Sequence, residues 1–155
     1  MRPMQNVLIL GGTRGIGRAL AELCLARGMA VTVCGRDPNA LQGHSIATHP
    51  QLRTCAVDIA DPVAVRDCVR QAGTTGGTTE GTLDLIVVSA GIYFNSRSHQ
   101  LDQTQTLQML RTNVNGLACA FDAAAERMLA QGHGRLAAIS SMAGLFGNAG
   151  QANYA

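Results

Sequence analysis

Closely spaced glycines near the start of the chain have the pattern of a phosphate-binding loop. Residues 11–17 read GGTRGIG and follow the short apolar run Val7–Leu10. A nucleotide diphosphate requires a sharp turn, close approach of a backbone without Cβ atoms, and N–H groups at the N-terminus of a helix. Gly12, Gly15 and Gly17 meet the first two requirements, and the helix predicted to follow meets the third. The segment therefore predicts dinucleotide binding, the alternative being a tight turn without a ligand.

Polar residues recur where later predicted strands end and within a long predicted helix. Asp58 follows the third strand, and Ser89-Ala90-Gly91 lies at the end of the fourth. The long helix contains residues 113–116, NVNG, and Ser141 follows the fifth strand, 13 residues before Tyr154. Hydroxyl donors held in position can stabilise an oxygen that develops negative charge, and an acid within reach can protonate it.

The glycine spacing G-x-x-x-G-x-G, followed by these motifs in this order, resembles the short-chain dehydrogenase/reductase family over the whole chain. Residues 147–155, GNAGQANYA, are similar to the β-ketoacyl carrier-protein reductases of that family. The resemblance implies that Tyr154 protonates a carbonyl oxygen, that Ser141 donates a hydrogen bond to it, and that Asn113 holds a water of the proton relay. The cofactor-binding residues that it implies are Gly11, Thr13, Arg14, Gly15, Ile16, Gly17, Arg36, Asp58, Ile59, Ser89, Ala90 and Gly91.

The identity of the nicotinamide cofactor depends on the end of the second predicted strand. A 2′-phosphate requires cations, whereas an unphosphorylated ribose is held by a carboxylate. Gly35 stands where NAD-preferring relatives carry the acid, and Arg36 and Arg14 can offer forked guanidinium groups to a phosphate. Asp37 is expected to cap the next helix. These residues predict NADP over NAD, the alternative being that both arginines are ordinary surface charges.

The resemblance also implies a lysine four residues after the tyrosine, and the chain ends before that position. A tyrosine hydroxyl alone is a weak acid at neutral pH, and the family's lysine assists it. We therefore expect a fragment of an NADP-dependent oxidoreductase that acts on a small-molecule carbonyl or alcohol and is homo-oligomeric at full length. Two alternatives stay open: a catalytically impaired dinucleotide-binding module without the lysine, and an epimerase or dehydratase, whose glycine spacing usually differs.

Alternating apolar runs and helical patterns predict an α/β fold that positions these residues. Short continuous apolar runs are typical of strands buried in a parallel sheet, and Asp61-Pro62 starts a helix that extends to about Gln71. Right-handed crossovers then give a parallel sheet with helices on both faces. The resemblance implies that this is one three-layer Rossmann domain, residues 1–155, with strand order 3-2-1-4-5. It lacks the C-terminal part of the family fold, so the fifth strand is an edge. The predicted strands are Val7–Leu10, Ala30–Cys34, Leu52–Val57, Leu83–Ser89 and Arg135–Ser140.

An apolar stripe marks the long helix between the fourth and fifth strands. Its members recur at spacings of three and four residues, and we interpret them as core packing. They are Leu107, Leu110, Val114, Leu117, Phe121, Ala125 and Met128.

Composition limits the kinds of molecule that the protein could bind and the cellular compartment in which it could lie. A formal net charge of +2, without basic runs interleaved with aromatics, argues against nucleic acid, and no apolar span reaches the length of a membrane helix. The start of the chain lacks the pattern of a signal peptide. The five cysteines form no C-x-x-C pair, so neither a disulfide framework nor a zinc site is expected, and the reducing cytoplasm fits. The four histidines are not spaced along the chain as metal ligands usually are, so no metal is expected at them. They are His44, His49, His99 and His133.

Overall fold

The computed structural model describes residues 4–73, 81–95, 101–147 and 149–154. Its strands form one parallel sheet in the order β3-β2-β1-β4-β5, which confirms the predicted α/β class and strand order. Most of the glycine- and threonine-rich segment 73–82, and His99, lie outside the described residues. The strands are β1 (Asn6–Leu10), β2 (Ala30–Gly35), β3 (Leu52–Ala56), β4 (Leu85–Val88) and β5 (Arg135–Ala138).

Helices cover both faces of this sheet, as predicted. The helix after β3 begins where Asp61 accepts hydrogen bonds from the main-chain amides of Val63 and Ala64, at 2.9 and 3.2 Å. This cap satisfies two of the amides that the first turn of a helix leaves without a partner. The helices are α1 (Gly15–Ala26), α2 (Pro62–Gln71), α3 (Gln103–Met109) and α4 (Gly116–Gln131), and a π-helical turn, Leu110–Asn115, joins α3 to α4.

Alternation along the central strand β1 divides the core into two layers. Val7 and Ile9 pack with residues of α1, whereas Leu8 and Leu10 pack with residues of α2 and α4. All four side chains are at most 2% exposed. Burying each such side chain contributes about 1.5–3 kcal/mol, so both faces of β1 anchor the domain. The ends of β1 are therefore rigid supports for the loop that follows.

The helix expected after β2 is wrong in extent. The chain forms only a 3-10 turn, Pro38–Leu41, before it returns to β3. Asp37 does cap this turn, as predicted, by accepting a hydrogen bond of 3.0 Å from the amide of Asn39. The strands β3, β4 and β5 are also shorter than predicted, although single backbone hydrogen bonds, such as that from the amide of Val57 to the carbonyl oxygen of Gly35, extend beyond them.

The core interpretation of the long apolar stripe is wrong for its first half. Leu107, Leu110 and Val114 are 46%, 46% and 54% exposed. Leu117 and Phe121 pack against the core, and Met128 is buried, as expected. The π-helical turn adds a residue to one turn and so changes which side chains face the sheet. The residues of this helical segment that are buried are Met109, Gly116, Ala120, Ala123, Ala124 and Met128.

An arginine of α4 links this helix to the end of α2 and to the segment before β4. The guanidinium of Arg127 donates hydrogen bonds to the carbonyl oxygens of Val69, Arg70 and Gly81. Carbonyl groups at the end of a helix have no partner within the helix, so this contact satisfies them. Burial lowers the pKa of Arg127 from its usual value. Within the described ranges, no helix combines the length and the apolar character needed to cross a bilayer.

Candidate active site

The loop after β1 is held by the neighbouring strand. The main-chain amides of Gly11 and Gly12 donate hydrogen bonds of 2.8 and 3.0 Å to the carbonyl oxygen of Cys34, the residue before the end of β2. Gly11 has a φ of +84°, a backbone conformation that residues other than glycine rarely adopt. These contacts turn the chain from β1 into α1. The amides that start α1, at Gly15–Gly17, have no acceptor within their own helix and form its positive end.

Glycine is required here because backbone segments touch. A Cβ atom on Gly17 would collide with the carbonyl oxygen of Gly11, and one on Gly11 would collide with the main chain at Ala90. Gly15, with a φ of +52°, faces open space on the cleft side. The loop thus leaves a cradle without side chains in front of the first turn of α1.

The loops that follow all five strands surround one open cleft of about 1150 Å³. Ligands of parallel α/β sheets bind at this carboxyl edge. Gly17 lies buried beneath the loop, and Asn113 lies behind the lining. The other predicted site residues all line the cleft: Gly11, Thr13, Arg14, Gly15, Ile16, Arg36, Asp58, Ile59, Ser89, Ala90, Gly91, Ser141 and Tyr154.

One end of the cleft carries the charged residues expected near the adenosine. Arg14 and Arg36 are both exposed, and the guanidinium of Arg14 lies 3.8 Å from the carboxylate of Asp37. Asp58 accepts a hydrogen bond of 3.0 Å from the amide of Ala60 through one carboxylate oxygen. A Cβ atom on Gly35 would lie 2.5 Å from the hydroxyl oxygen of Thr13, so the side chain of Thr13 would have to move to admit a larger residue there.

The predicted serine and tyrosine, Ser141 and Tyr154, line the same cleft. The hydroxyl oxygen of Ser141 accepts a hydrogen bond of 3.2 Å from the amide of Ala143, which begins a 3-10 turn. A hydroxyl that accepts one hydrogen bond can still donate its own hydrogen. The ring of Tyr154 packs edge-on against that of Tyr93, with centroids 5.2 Å apart and an angle of 66°. Sequence reasoning placed Tyr93 in a segment, residues 92–98, that could border the pocket, but it missed the contact with Tyr154.

The side chain of Asn113 joins the π-helical turn to the loop after β4. Its Oδ1 accepts from the amide of Ile92 at 2.9 Å, and its Nδ2 donates to the carbonyl oxygen of Ile92 at 2.8 Å. Asn113 lies on the π-helical turn, and such turns are frequent at functional sites. Both polar groups of the amide thus hold the loop after β4 against the long helix. The predicted water-holding role stays a prediction.

Three cysteines that are far apart in sequence meet beside the cleft. The sulfur atoms of Cys34, Cys55 and Cys68 all lie within 4.8 Å of one another, with the geometry of a potential metal-ligand set. Spacing along the chain gave no sign of this cluster, because the sequence contains no C-x-x-C pair. Its members come from β2, β3 and α2, which only the tertiary fold brings together.

The fold of the chain is shared with known proteins. The family model described as short chain dehydrogenase matches residues 5–155. The chain belongs to this family. The resemblance inferred from the motifs is therefore confirmed.

Relatives of this short chain dehydrogenase are longer than the chain itself. It is 29% identical over 148 residues to the 3-oxoacyl-[acyl-carrier-protein] reductase FabG of Escherichia coli (strain K12), which covers 96% of this chain and 59% of that protein. It is 37% identical over 152 residues to the short-chain reductase protein NovJ of Streptomyces niveus, covering 96% and 56%. A solved structure described as ElxO with NADP bound superposes with a TM-score of 0.86 at 25% identity, covering 98% of this chain and 61% of that one. The chain thus spans about three fifths of the length of its relatives.

Proposed function

We propose that the protein carrying this chain transfers hydride between NADP and a small carbonyl or alcohol substrate. One observation carries the proposal: a single cleft joins the glycine loop and the first turn of α1 to Ser141 and Tyr154. A site for a diphosphate and a pair of hydroxyl donors in one cavity is what a dinucleotide-dependent reduction requires. The NADP named with ElxO and the reductase names of the relatives support the same chemistry.

The residues present fit a dinucleotide. The amides of the first turn of α1 donate toward the diphosphate, and the side-chain-free surface at Gly15 allows close approach. Arg14 and Arg36 bind the 2′-phosphate, since guanidinium groups form paired hydrogen bonds with phosphate oxygens. Asp58 lies where it can hold the adenine. NADP, when bound, supplies or accepts the hydride.

The remaining residues act on the substrate oxygen. The hydroxyl of Tyr154 donates a proton to the carbonyl oxygen as that oxygen gains negative charge. Ser141 donates a hydrogen bond to the same oxygen and stabilises the developing charge. Tyr93 packs against Tyr154 and positions its ring. Asn113 fixes the loop after β4, which forms one wall of the cleft.

A tyrosine comparison tests the catalytic part of the proposal. We expect Tyr154→Phe to lower kcat for NADPH-dependent carbonyl reduction by at least about 100-fold, because a positioned general acid typically contributes that much. Affinity for NADPH, measured by fluorescence titration, should change little. Tyr93→Phe is the matched control: it keeps the ring contact and removes the other hydroxyl. Equal turnover by the wild type and Tyr154→Phe would remove Tyr154 from the mechanism.

A second candidate is a dinucleotide-binding module without catalytic turnover. It is supported by the cradle of the glycine loop and the first turn of α1, which can hold a diphosphate whether or not turnover follows. The same titration separates the candidates. Saturable NADPH binding without turnover of any carbonyl substrate supports the module, whereas binding with Tyr154-dependent turnover supports the reductase. Absence of saturable binding would contradict both.

Two further parts of the proposal concern the whole protein. We propose a homo-oligomer, supported by the exposed apolar side chains of Leu110 and Val114 on the long helical segment. We also propose a cytoplasmic location, supported by the free thiols of the described cysteines, since reducing compartments keep thiols unpaired.

A further inference from the structure

Three thiols from separate elements meet between the sheet and α2. The sulfur atoms of Cys34 and Cys68 are 3.1 Å apart, and that of Cys55 lies within 4.8 Å of both. We propose that this cluster is a peroxide-sensitive modification site, in which Cys55 is oxidised first and Cys68 then forms a disulfide with it.

Access selects Cys55 as the residue that meets the oxidant. Its side chain is half-buried, whereas Cys34 and Cys68 are only 1% and 6% exposed. Reaction with a dissolved oxidant requires a sulfur atom that the oxidant can reach. The two buried thiols are shielded from peroxide but remain within reach of Cys55.

The surroundings of Cys55 also favour its negatively charged thiolate form. Hydrogen bonding from the thiols of Cys34 and Cys68 lowers the pKa of Cys55, and the guanidinium of Arg53 lowers it further, while burial opposes both. The interaction with Cys55 raises the pKa of Cys34, as do the contact with Cys68 and burial. The thiolate is the nucleophilic form of cysteine. The exposure of Cys55 therefore identifies it as the sulfur that attacks, and the direction of its pKa shift agrees with that choice.

The chemistry balances with hydrogen peroxide as the oxidant. The Cys55 thiolate attacks one peroxide oxygen, so an S–O bond forms, the O–O bond breaks, and hydroxide leaves. The sulfur of Cys68 then attacks the sulfenic sulfur of Cys55. An S–S bond forms, the S–O bond breaks, and the oxygen leaves as water with the Cys68 proton. Two thiols and one peroxide thus give one disulfide and two waters.

The backbone contacts favour Cys68 over Cys34 as the partner. The carbonyl oxygen of Cys34 accepts the hydrogen bonds of Gly11 and Gly12, so this residue is fixed by the glycine loop. Its backbone is also held in the sheet, in register with Cys55 on the neighbouring strand. Cys68 approaches from α2, where a small movement of the helix can shorten the distance between sulfur atoms.

Peptide mapping of the purified protein tests this assignment without any substitution. Arginines separate all five cysteines of the chain, so trypsin releases each in a different peptide, with Cys55 in residues 54–66 and Cys68 in 67–70. The reduced protein is treated with equimolar hydrogen peroxide, blocked with N-ethylmaleimide and digested without reductant. We expect the 54–66 peptide linked to the 67–70 peptide. Cys119 has the same half-buried exposure outside the cluster, and we expect Cys55 to be oxidised at least about tenfold faster.

Variants add a second test. Cys55→Ser should leave Cys68 and Cys34 reduced under the same treatment, whereas Cys119→Ser should form the disulfide at the wild-type rate. Equal oxidation of Cys55 and Cys119 in the wild type would overturn the proposal, whether or not the variants fold. So would a Cys55–Cys34 link, a Cys34–Cys68 disulfide in Cys55→Ser, or one equivalent of zinc bound by the three thiols of the purified protein.

Discussion

Arg14 and Asp37 face each other in the cleft, beside the site that we propose for the ribose phosphate of NADP. Their charged groups are 3.8 Å apart, and the two side chains are 76% and 54% exposed. An ion pair as exposed as this contributes little to stability, because water screens it. Its greater effect is on the ligand, since the carboxylate of Asp37 both competes for Arg14 and repels a phosphate.

We expect Asp37→Asn to tighten NADPH binding by about two- to threefold without changing NADH binding. This is the size expected when one unit charge is removed several ångströms from a phosphate in water. Asparagine keeps the cap on the 3-10 turn. Fluorescence titrations with both dinucleotides measure the effect, which should shrink in high salt. Asp102→Asn, at the cap of α3 and outside the cleft lining, is the control. An equal gain for NADH would contradict a role in recognising the 2′-phosphate.

The glycine at position 35 has two possible explanations. In the sequence, it means that the position lacks the carboxylate that would hold the unphosphorylated ribose of NAD. In the structure, the side chain of Thr13 fills the space that a Cβ atom on Gly35 would need. Close packing is therefore a sufficient reason for this glycine. The prediction of NADP then depends on Arg14 and Arg36 alone.

At the scale of elements, the contact between the β1 loop and α1 determines the shape of the cradle. Gly17 lies inside α1, where alanine would normally stabilise a helix by about 1 kcal/mol. Here the added methyl group would meet the carbonyl oxygen of Gly11. Since main-chain atoms cannot move aside as a flexible side chain can, the collision outweighs the gain in helix propensity.

We therefore expect Gly17→Ala to lower the free energy of unfolding by about 2 kcal/mol and to weaken NADPH binding. Urea denaturation and fluorescence titration measure the two effects. Gly144→Ala is the matched control, because nothing lies near the position of its added methyl group, and its stability should stay within about 0.5 kcal/mol of the wild type. A stabilised Gly17→Ala would show that the loop and helix are not in contact.

In the long helical segment, small residues are buried and several larger apolar residues are exposed. Gly116 packs so closely that a Cβ atom would lie 2.8 Å from the carbonyl oxygen of Ile59. Small residues such as Gly116, Ala120 and Ala124 therefore face the core. The larger Leu110 and Val114 point outward because the π-helical turn shifts the phase of the helix.

At the scale of the whole molecule, these outward side chains suit a second copy of the protein. Val114→Glu would place a charge among exposed apolar groups, and burying an unpaired charge in an interface is costly. We expect this variant to shift the sedimentation coefficient toward that of the monomer. Leu129→Glu, at a position that is 82% exposed near the end of α4, is the control and should leave the assembly unchanged. A wild type that sediments as a monomer would contradict the homo-oligomer.

The sequence by itself determined the parallel sheet, its strand order and most of the cleft lining. Apolar runs, glycine spacing and caps such as Asp61 are local signals, and the rules for crossovers convert them into a topology. These local signals also extended three strands too far, and they predicted the start of a helix after β2 where only a 3-10 turn forms.

Only the tertiary structure decided which side chains meet. Tyr93 against Tyr154, Asn113 against Ile92, and the cluster of Cys34, Cys55 and Cys68 all join segments that are distant in sequence. The phase of the long helix was decided in the same way, by a π-helical turn. The physical reason is that a local pattern specifies an element and its faces, whereas contacts depend on how close the packed elements come.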